Sequence, residues 1–178
     1  MHWNSLEDEA CSVARTVSII GDRWTLLILR DCFLRVRRFE EFQRRLGVTR
    51  PILSDRLRKL VDKFILAKVP YQQGPLRYEY RLTPKGLALY PIMLAIVHWG
   101  DEHMSDKKGR PLLHQHSVCG HDFDPVLVCS ECAAAIQPRE VQVRPGPGAK
   151  NSGYIPRDVG AAAVRAPRRR ATVQRSDK

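Results

Sequence analysis

A mainly α-helical fold with one small β-hairpin, arranged as a winged helix-turn-helix, is predicted by three features of the 178-residue sequence. Two amphipathic helical stretches flank a short glycine-containing break, two β-prone runs around a Gly-Pro turn follow directly, and a long apolar helix comes after them. A small segment near residues 112–140, with paired metal-ligand residue types, is predicted to form a separate zinc-ribbon-like appendix.

The first helix is expected from about Cys11 to Ile20, where Cys11, Ala14, Val17 and Ser18 share a face, and Gly21 ends it. Asp22 then has the residue type and place of an N-cap for Arg23 to Cys32, a helix apolar on nearly all sides and so expected to be central and buried, with Trp24 in the core and Cys32 as a small hydrophobe. Arg35, Val36, Arg37 and Arg38 form a basic loop; Arg37 and Arg38 can reach phosphates, or stay solvated. Phe39, Phe42, Gln43 and Leu46 have helical spacing, and Gly47-Val48 breaks the pattern.

The next helix is expected to start at Thr49, whose hydroxyl can accept from a free first-turn N–H, with Pro51 placed where a missing donor costs nothing. Leu53, Leu57, Leu60, Val61 and Phe64 fall within one stripe, which leaves Pro51, Asp55, Arg58, Lys59 and Asp62 opposite and Arg50, Ser54 and Arg56 on the flanks. Taken alone, such a helix is better explained by a solvated basic surface. Following a helix and a short turn with glycine, it matches the second helix of a helix-turn-helix, the one that enters the major groove of DNA. Thr49, Arg50, Ser54, Arg56, Arg58 and Lys59 are therefore candidate DNA contacts, with Arg56 and Arg58 the expected bidentate partners of guanine.

Ile65 to Tyr71 and Arg77 to Leu82 are the two strands expected around the turn Gln72-Gln73-Gly74-Pro75, a wing whose tip residues Gln72, Gln73 and Arg77 can lie along the minor groove or flanking phosphates. Tyr78 and Tyr80 are expected to close the core. Thr83-Pro84 opens a long helix through Leu87, Tyr90, Leu94, Val97 and Trp99, bent near Leu87 by Pro91. Ile92, Met93 and Ile96 widen its apolar surface beyond one core face. Packing against a second subunit explains that width, as does burial within one chain.

A formal charge of +11 and a pI near 9.9 favour a polyanionic partner, nucleic acid first and an anionic membrane surface second. The N-terminal residues resemble no signal peptide and no apolar run approaches the roughly 18 residues of a membrane span, so a cytoplasmic protein is expected. In that compartment the five cysteines are expected as thiols or metal ligands. His116-Ser-Val-Cys119 and Cys129-Ser-Glu-Cys132 are two ligand pairs at the two-residue gap of a structural zinc site, with Zn2+ the expected metal; His114 and His121 remain alternatives to His116, and unrelated thiols are the bland explanation. No open coordination position and no paired base and nucleophile is legible, so no enzyme is expected. From about Arg144 the sequence turns to Pro, Gly, Ala and Arg, and 144–178 is expected to be a disordered basic tail.

Cys11 to Arg15, Ile20 to Arg30, Arg37 to Phe42, Leu53 to Leu57, Arg77 to Thr83 and His98-Trp99-Gly100 resemble, in order and spacing, successive blocks of the HxlR family of bacterial winged helix-turn-helix regulators. The resemblance covers about residues 10–104, taken as the DNA-binding and dimerisation domain. It implies a homodimeric, operator-binding transcription factor of MarR-like architecture, responsive to a small-molecule, electrophile or redox signal. It also implies that Cys11 is a candidate sensor thiol, whose replacement by serine would keep DNA binding and abolish release; an inert buried thiol is the alternative. Two departures stand out: Phe64 where the family pattern has glycine, which predicts a different helix end, and Cys32, which has no counterpart. The contrasting function is a zinc-ribbon interaction adaptor with only non-specific nucleic-acid binding, which leaves the arginines of the 50s unused.

Overall fold

The computed structural model describes residues 6–149. They divide between two compact units, Met1–Ile136 and Gln137–Lys178, and the first carries every helix and strand named below. The expected tail lies outside the described residues from 150 onward; of the second unit they include only two single 3-10 turns, at Pro138–Glu140 and Pro147–Ala149.

Helix α1 (Ser12–Ile20) is capped by Cys11, whose Sγ accepts from the Ala14 N–H at 3.5 Å. Helix α2 (Arg23–Phe33) starts as expected at Asp22, whose Oδ1 accepts from the N–H groups of Trp24 and Thr25, each at 3.1 Å. It is the central helix, with Thr25, Ile28, Leu29 and Cys32 buried and Trp24 half-buried against the core. Its one surprise is the carboxyl side chain of Asp31, which is fully buried. Arg30 at 2.8 Å and Arg45 of the next helix at 3.2 Å satisfy it, so a two-arginine clamp helps join the two helices.

Helix α3 (Phe39–Leu46) ends at Gly47, whose left-handed φ of 63° turns the chain into α4 (Arg50–Asp62). Thr49 stands at the N-cap in extended conformation, but its hydroxyl makes no capping bond, and Pro51 in the first turn marks the start instead. Leu53, Leu57 and Leu60 are completely buried against Phe42, Ile28 and Leu29, and Val61 packs at the edge of that core.

Phe64 departs from its expected place. It is 74% exposed and adopts φ 57°, just beyond the Lys63 C-cap. The Phe64 N–H donates to Val61 O and the Ile65 N–H to Leu60 O, each at 2.9 Å, so the helix closes on a left-handed residue although that residue is not glycine. Phe64→Gly is accordingly expected to raise stability by roughly 0.5–1 kcal/mol, the relief of left-handed strain less the backbone entropy of glycine. Equilibrium denaturation reads the change, and an unchanged or lower midpoint contradicts it.

Strands β1 (Leu66–Gln73) and β2 (Leu76–Leu82) pair antiparallel from Leu66 opposite Leu82 to Gln73 opposite Leu76, with a bulge between Pro70 and Gln72. The strands are longer than expected, so Gln72 and Gln73 lie in β1 and Gly74-Pro75 alone makes the tip. The Tyr80 N–H donates to Arg37 O at 2.8 Å, and Arg38 bridges to Glu79, which lays the basic loop along the wing. Tyr80 packs on the core as expected; Tyr78 does not, being exposed beneath Lys68.

Where one bent helix was expected there are two. Pro91, having no N–H and crowding the carbonyl four residues back, separates α5 (Pro84–Leu87) from α6 (Tyr90–Met104). Thr83 caps α5, its Oγ1 accepting from the Gly86 N–H at 3.1 Å. Along α6, Met93 is buried while Ile92, Ile96 and Trp99 are exposed.

Candidate nucleic-acid interface

Helix α4 divides its polar residues between two directions. Arg56 turns inward: its Nε donates to Asp22 Oδ1 at 2.8 Å and its Nη1 to Asp55 Oδ2 at 2.6 Å. Asp22 thus caps α2 and grips α4 with one carboxylate. Burial pushes the Asp22 carboxyl upward, but the Arg56 hydrogen bond, the Thr25 and Trp24 N–H groups and the Arg56 charge together hold it below the usual range. Lys59 is also committed inward, its Nζ donating to Ser18 O near the end of α1 at 2.7 Å. Sequence spacing placed both residues among the DNA contacts, yet their side chains fasten α4 to α1 and α2.

The outward face consists of Thr49, Arg50, Ser54 and Arg58, all exposed. The Arg58 side chain is 72% accessible and bonds Asp55 at 2.6 Å, a contact on the helix surface that leaves most of the guanidinium free. Arg50 lies over the Phe39 ring at 4.9 Å, which orients it beside the first turn of α4.

The wing completes this face. Arg38 stacks over Tyr71 at 4.7 Å, and Lys68 over Tyr78 at 4.2 Å. Arg50, Ser54, Lys68, Tyr71, Arg77 and Tyr78 line a cleft of about 330 Å³ between the start of α4 and the wing. Arg77 and Gln73 are exposed, whereas the Gln72 amide donates to Gly74 O at 3.2 Å within the tip. Arg37 lines a different hollow, with Cys32, Phe33 and Arg81, because successive side chains of an extended segment point to opposite sides. Lys68 was missed in the sequence. Its strand neighbour across from Tyr80, diagonal to Tyr78, is the signal that a cation–aromatic pair on the outer face would have supplied.

The remaining candidates lie apart. Burial, and secondarily the Asp31 charge, pushes the Cys32 thiol up to about 12, so it is an inert core group. Cys11 is half-buried at the start of α1. His116 Nδ1 lies 3.4 Å from Cys119 Sγ, and Cys129 Sγ receives the N–H groups of Glu131 and Cys132, which with the Cys132 side chain draw its thiol below the usual range. Each predicted pair is thus brought together, but among the described residues no three His, Cys, Asp or Glu side chains converge as a metal cluster. Asp124 pairs with Arg110 at 2.5 Å and lies 3.4 Å from His98 Nδ1 of α6. A second cavity of about 530 Å³ lies beside α2 and α6, lined by Phe33, Tyr90, Met93, Val97 and Leu112, with Arg30 and Arg45 at its edge.

The model of the HxlR-like helix-turn-helix family matches residues 19–108. The uncharacterised HTH-type transcriptional regulator Rv3095 of Mycobacterium tuberculosis is 45% identical over 142 residues, 80% of this chain and 90% of its own length. An alignment of that length leaves only 36 of the 178 residues outside it, so it includes residues 116–132 wherever it starts. The crystal structure of PA1607, a candidate transcription factor, superposes with a TM-score of 0.71 at 33% identity, covering 79% of this chain and 98% of that one. PA1374 from Pseudomonas aeruginosa, also a candidate transcription factor, gives 0.54 at 31% identity, over 77% of this chain and 93% of its own.

Proposed function

Because the chain belongs to the HxlR-like helix-turn-helix family, and is therefore a transcriptional regulator with a helix-turn-helix DNA-binding domain and not an enzyme, we propose that it reads a palindromic operator as a homodimer. The observation that carries this reading is the two-sided polarity of α4. Arg56 and Lys59 are consumed in holding the helix, while Arg50, Ser54 and Arg58 are left on the side that continues into the wing. In this reading α4 enters the major groove, where Arg58 reads guanine, and Arg38, Lys68 and Arg77 contact phosphates beside it. Thr49 and Gln73 are further contacts at the ends of the same face.

Dimerisation is supported by Ile92, Ile96 and Trp99 of α6, which are 40%, 46% and 58% exposed on one helix. A two-fold protein places its recognition helices about one DNA turn apart, which matches a pseudo-palindromic site. Release by a signal is proposed through one of two places: Cys11, the half-buried thiol at the start of α1, or the apolar cavity beside α6, whose arginine edge suits a small aromatic anion. Cys32 is set aside for this role by its burial. No helix among the described residues is long and apolar enough to cross a membrane.

Footprinting on the DNA upstream of the protein's own gene, paired with sedimentation of the same sample, tests the proposal. The expected result is a dimer protecting two half-sites about 10 base pairs apart centre to centre. A monomer, or protection that ignores sequence, contradicts it.

A further inference from the structure

Residues 114–136 carry the same backbone pattern twice. In the first loop the Gly120 N–H donates to His116 O at 2.7 Å, the His116 N–H to His121 O at 2.9 Å, and the Phe123 N–H to His114 O at 2.9 Å. In the second, the Ala133 N–H donates to Cys129 O, the Cys129 N–H to Ala134 O, and the Ile136 N–H to Leu127 O, each at 2.9 Å. Both loops have a left-handed residue directly after the second ligand type, Gly120 at φ 73° and Ala133 at φ 55°. Both are closed by a single antiparallel bridge, Gln115 with Asp122 and Val128 with Ala135. His116 therefore corresponds to Cys129 and Cys119 to Cys132, position for position.

From this equivalence we propose that His116, Cys119, Cys129 and Cys132 bind one zinc ion, each loop supplying one edge of the tetrahedron. The first edge already has the required size. Zinc bonds of about 2.3 Å to sulfur and about 2.0 Å to nitrogen, at the tetrahedral angle, set N and S roughly 3.5 Å apart; His116 Nδ1 and Cys119 Sγ stand at 3.4 Å. In the second loop the Glu131 and Cys132 N–H groups point at Cys129 Sγ, the outer-sphere bonds that orient a ligating thiolate.

The equivalence also decides among the histidines. His114 corresponds to Leu127 and His121 to Ala134, positions that carry no ligand in the second loop, so His116 is the fourth ligand.

The two loops are separate half-sites among the described residues, and the metal brings them together. Little else in the segment can do so: Val118, Val126, Leu127 and Val128 are all more than half exposed, so no apolar core holds it. Binding releases the thiol protons of the three cysteines to solvent, and its free energy orders the segment.

Elemental analysis of the full chain, purified reduced, is expected to give about one zinc per chain. Cobalt(II) replacing it should give the intense visible bands of tetrahedral cobalt with thiolate charge transfer. Cys129→Ser and His116→Ala should each lose the tight metal, while His114→Ala and His121→Ala keep it, with the far-ultraviolet helical signal of the winged helix unchanged in all four. Reduced protein without stoichiometric metal overturns the site, as does a weak octahedral cobalt spectrum. One metal per two chains overturns its assignment within a single chain, and full retention of metal by His116→Ala overturns the fourth ligand.

Discussion

Gly86→Ala is expected to destabilise the protein by about 3 kcal/mol, the upper end for overpacking a close-packed site. A Cβ at this position would stand only 2.2 Å from Ile65 O and 3.0 Å from Leu82 Cδ2. Ile65 O has no freedom to withdraw, because it accepts from the Thr83 N–H at 3.1 Å and the Thr83 hydroxyl at 3.2 Å. Gly86 is thus where α5 presses on the joint between α4 and the wing. A thermal midpoint lower by roughly 10 °C is expected, and one within about 2 °C of the parent would show that the joint yields.

Arg58→Ala and Arg56→Ala are expected to fail in opposite ways although the residues are two apart on one helix. Removing Arg58 should lower operator affinity by about 1–3 kcal/mol, roughly 5- to 150-fold, with the thermal midpoint nearly unchanged, because it takes away a bidentate base contact and, within the chain, only an exposed surface pair with Asp55. Removing Arg56 should cost about 1 kcal/mol of stability, discounted for the partial exposure of the pair, and leave the ratio of operator to scrambled affinity nearly constant. The Asp22 carboxyl is held low in the folded protein. The contribution of its pair with Arg56 is therefore complete above the unfolded carboxyl value of about 3.9 and is lost as pH falls through the lower folded value. Asp22→Asn should flatten that acid limb. Binding titrations and denaturation on the same preparations separate the two residues.

What the sequence disclosed was local. Asp22 declares a helix start through its position before an apolar run, and its two N–H bonds are there. The ligand pairs around residues 116 and 129 are legible because each lies within one tight loop. Contacts between distant segments were not legible. The commitment of Arg56 depends on Asp22, 34 residues away, and that of Lys59 on Ser18, 41 away, so a helical wheel, which puts Arg56 on a flank and Lys59 opposite the apolar stripe, left both among the candidate DNA contacts. Phe64 continues the period of Leu53, Leu57 and Leu60, but a period does not mark where hydrogen bonding stops: the last helical residue is Asp62, and Phe64 lies beyond the Lys63 cap in the left-handed region. Half of the clamp on Asp31 comes from Arg45 of α3, which no spacing within α2 could announce. Pro91 marked a disturbance correctly and understated it, since one lost donor and one crowded carbonyl were enough to divide the helix.

The face formed by α4 and the wing is tested most directly by the affinity of the full chain for its upstream palindrome and for scrambled DNA of equal length, measured across a range of salt concentrations. The prediction is operator binding at least about 10³-fold tighter than scrambled at physiological salt, both affinities falling linearly on logarithmic axes as phosphate-bound counterions are released. Arg77→Ala should weaken both DNAs alike and make the slope shallower by about one, while Arg58→Ala narrows the gap between them. Equal affinity for the two DNAs, or a gap untouched by Arg58→Ala, would contradict the assignment of this face.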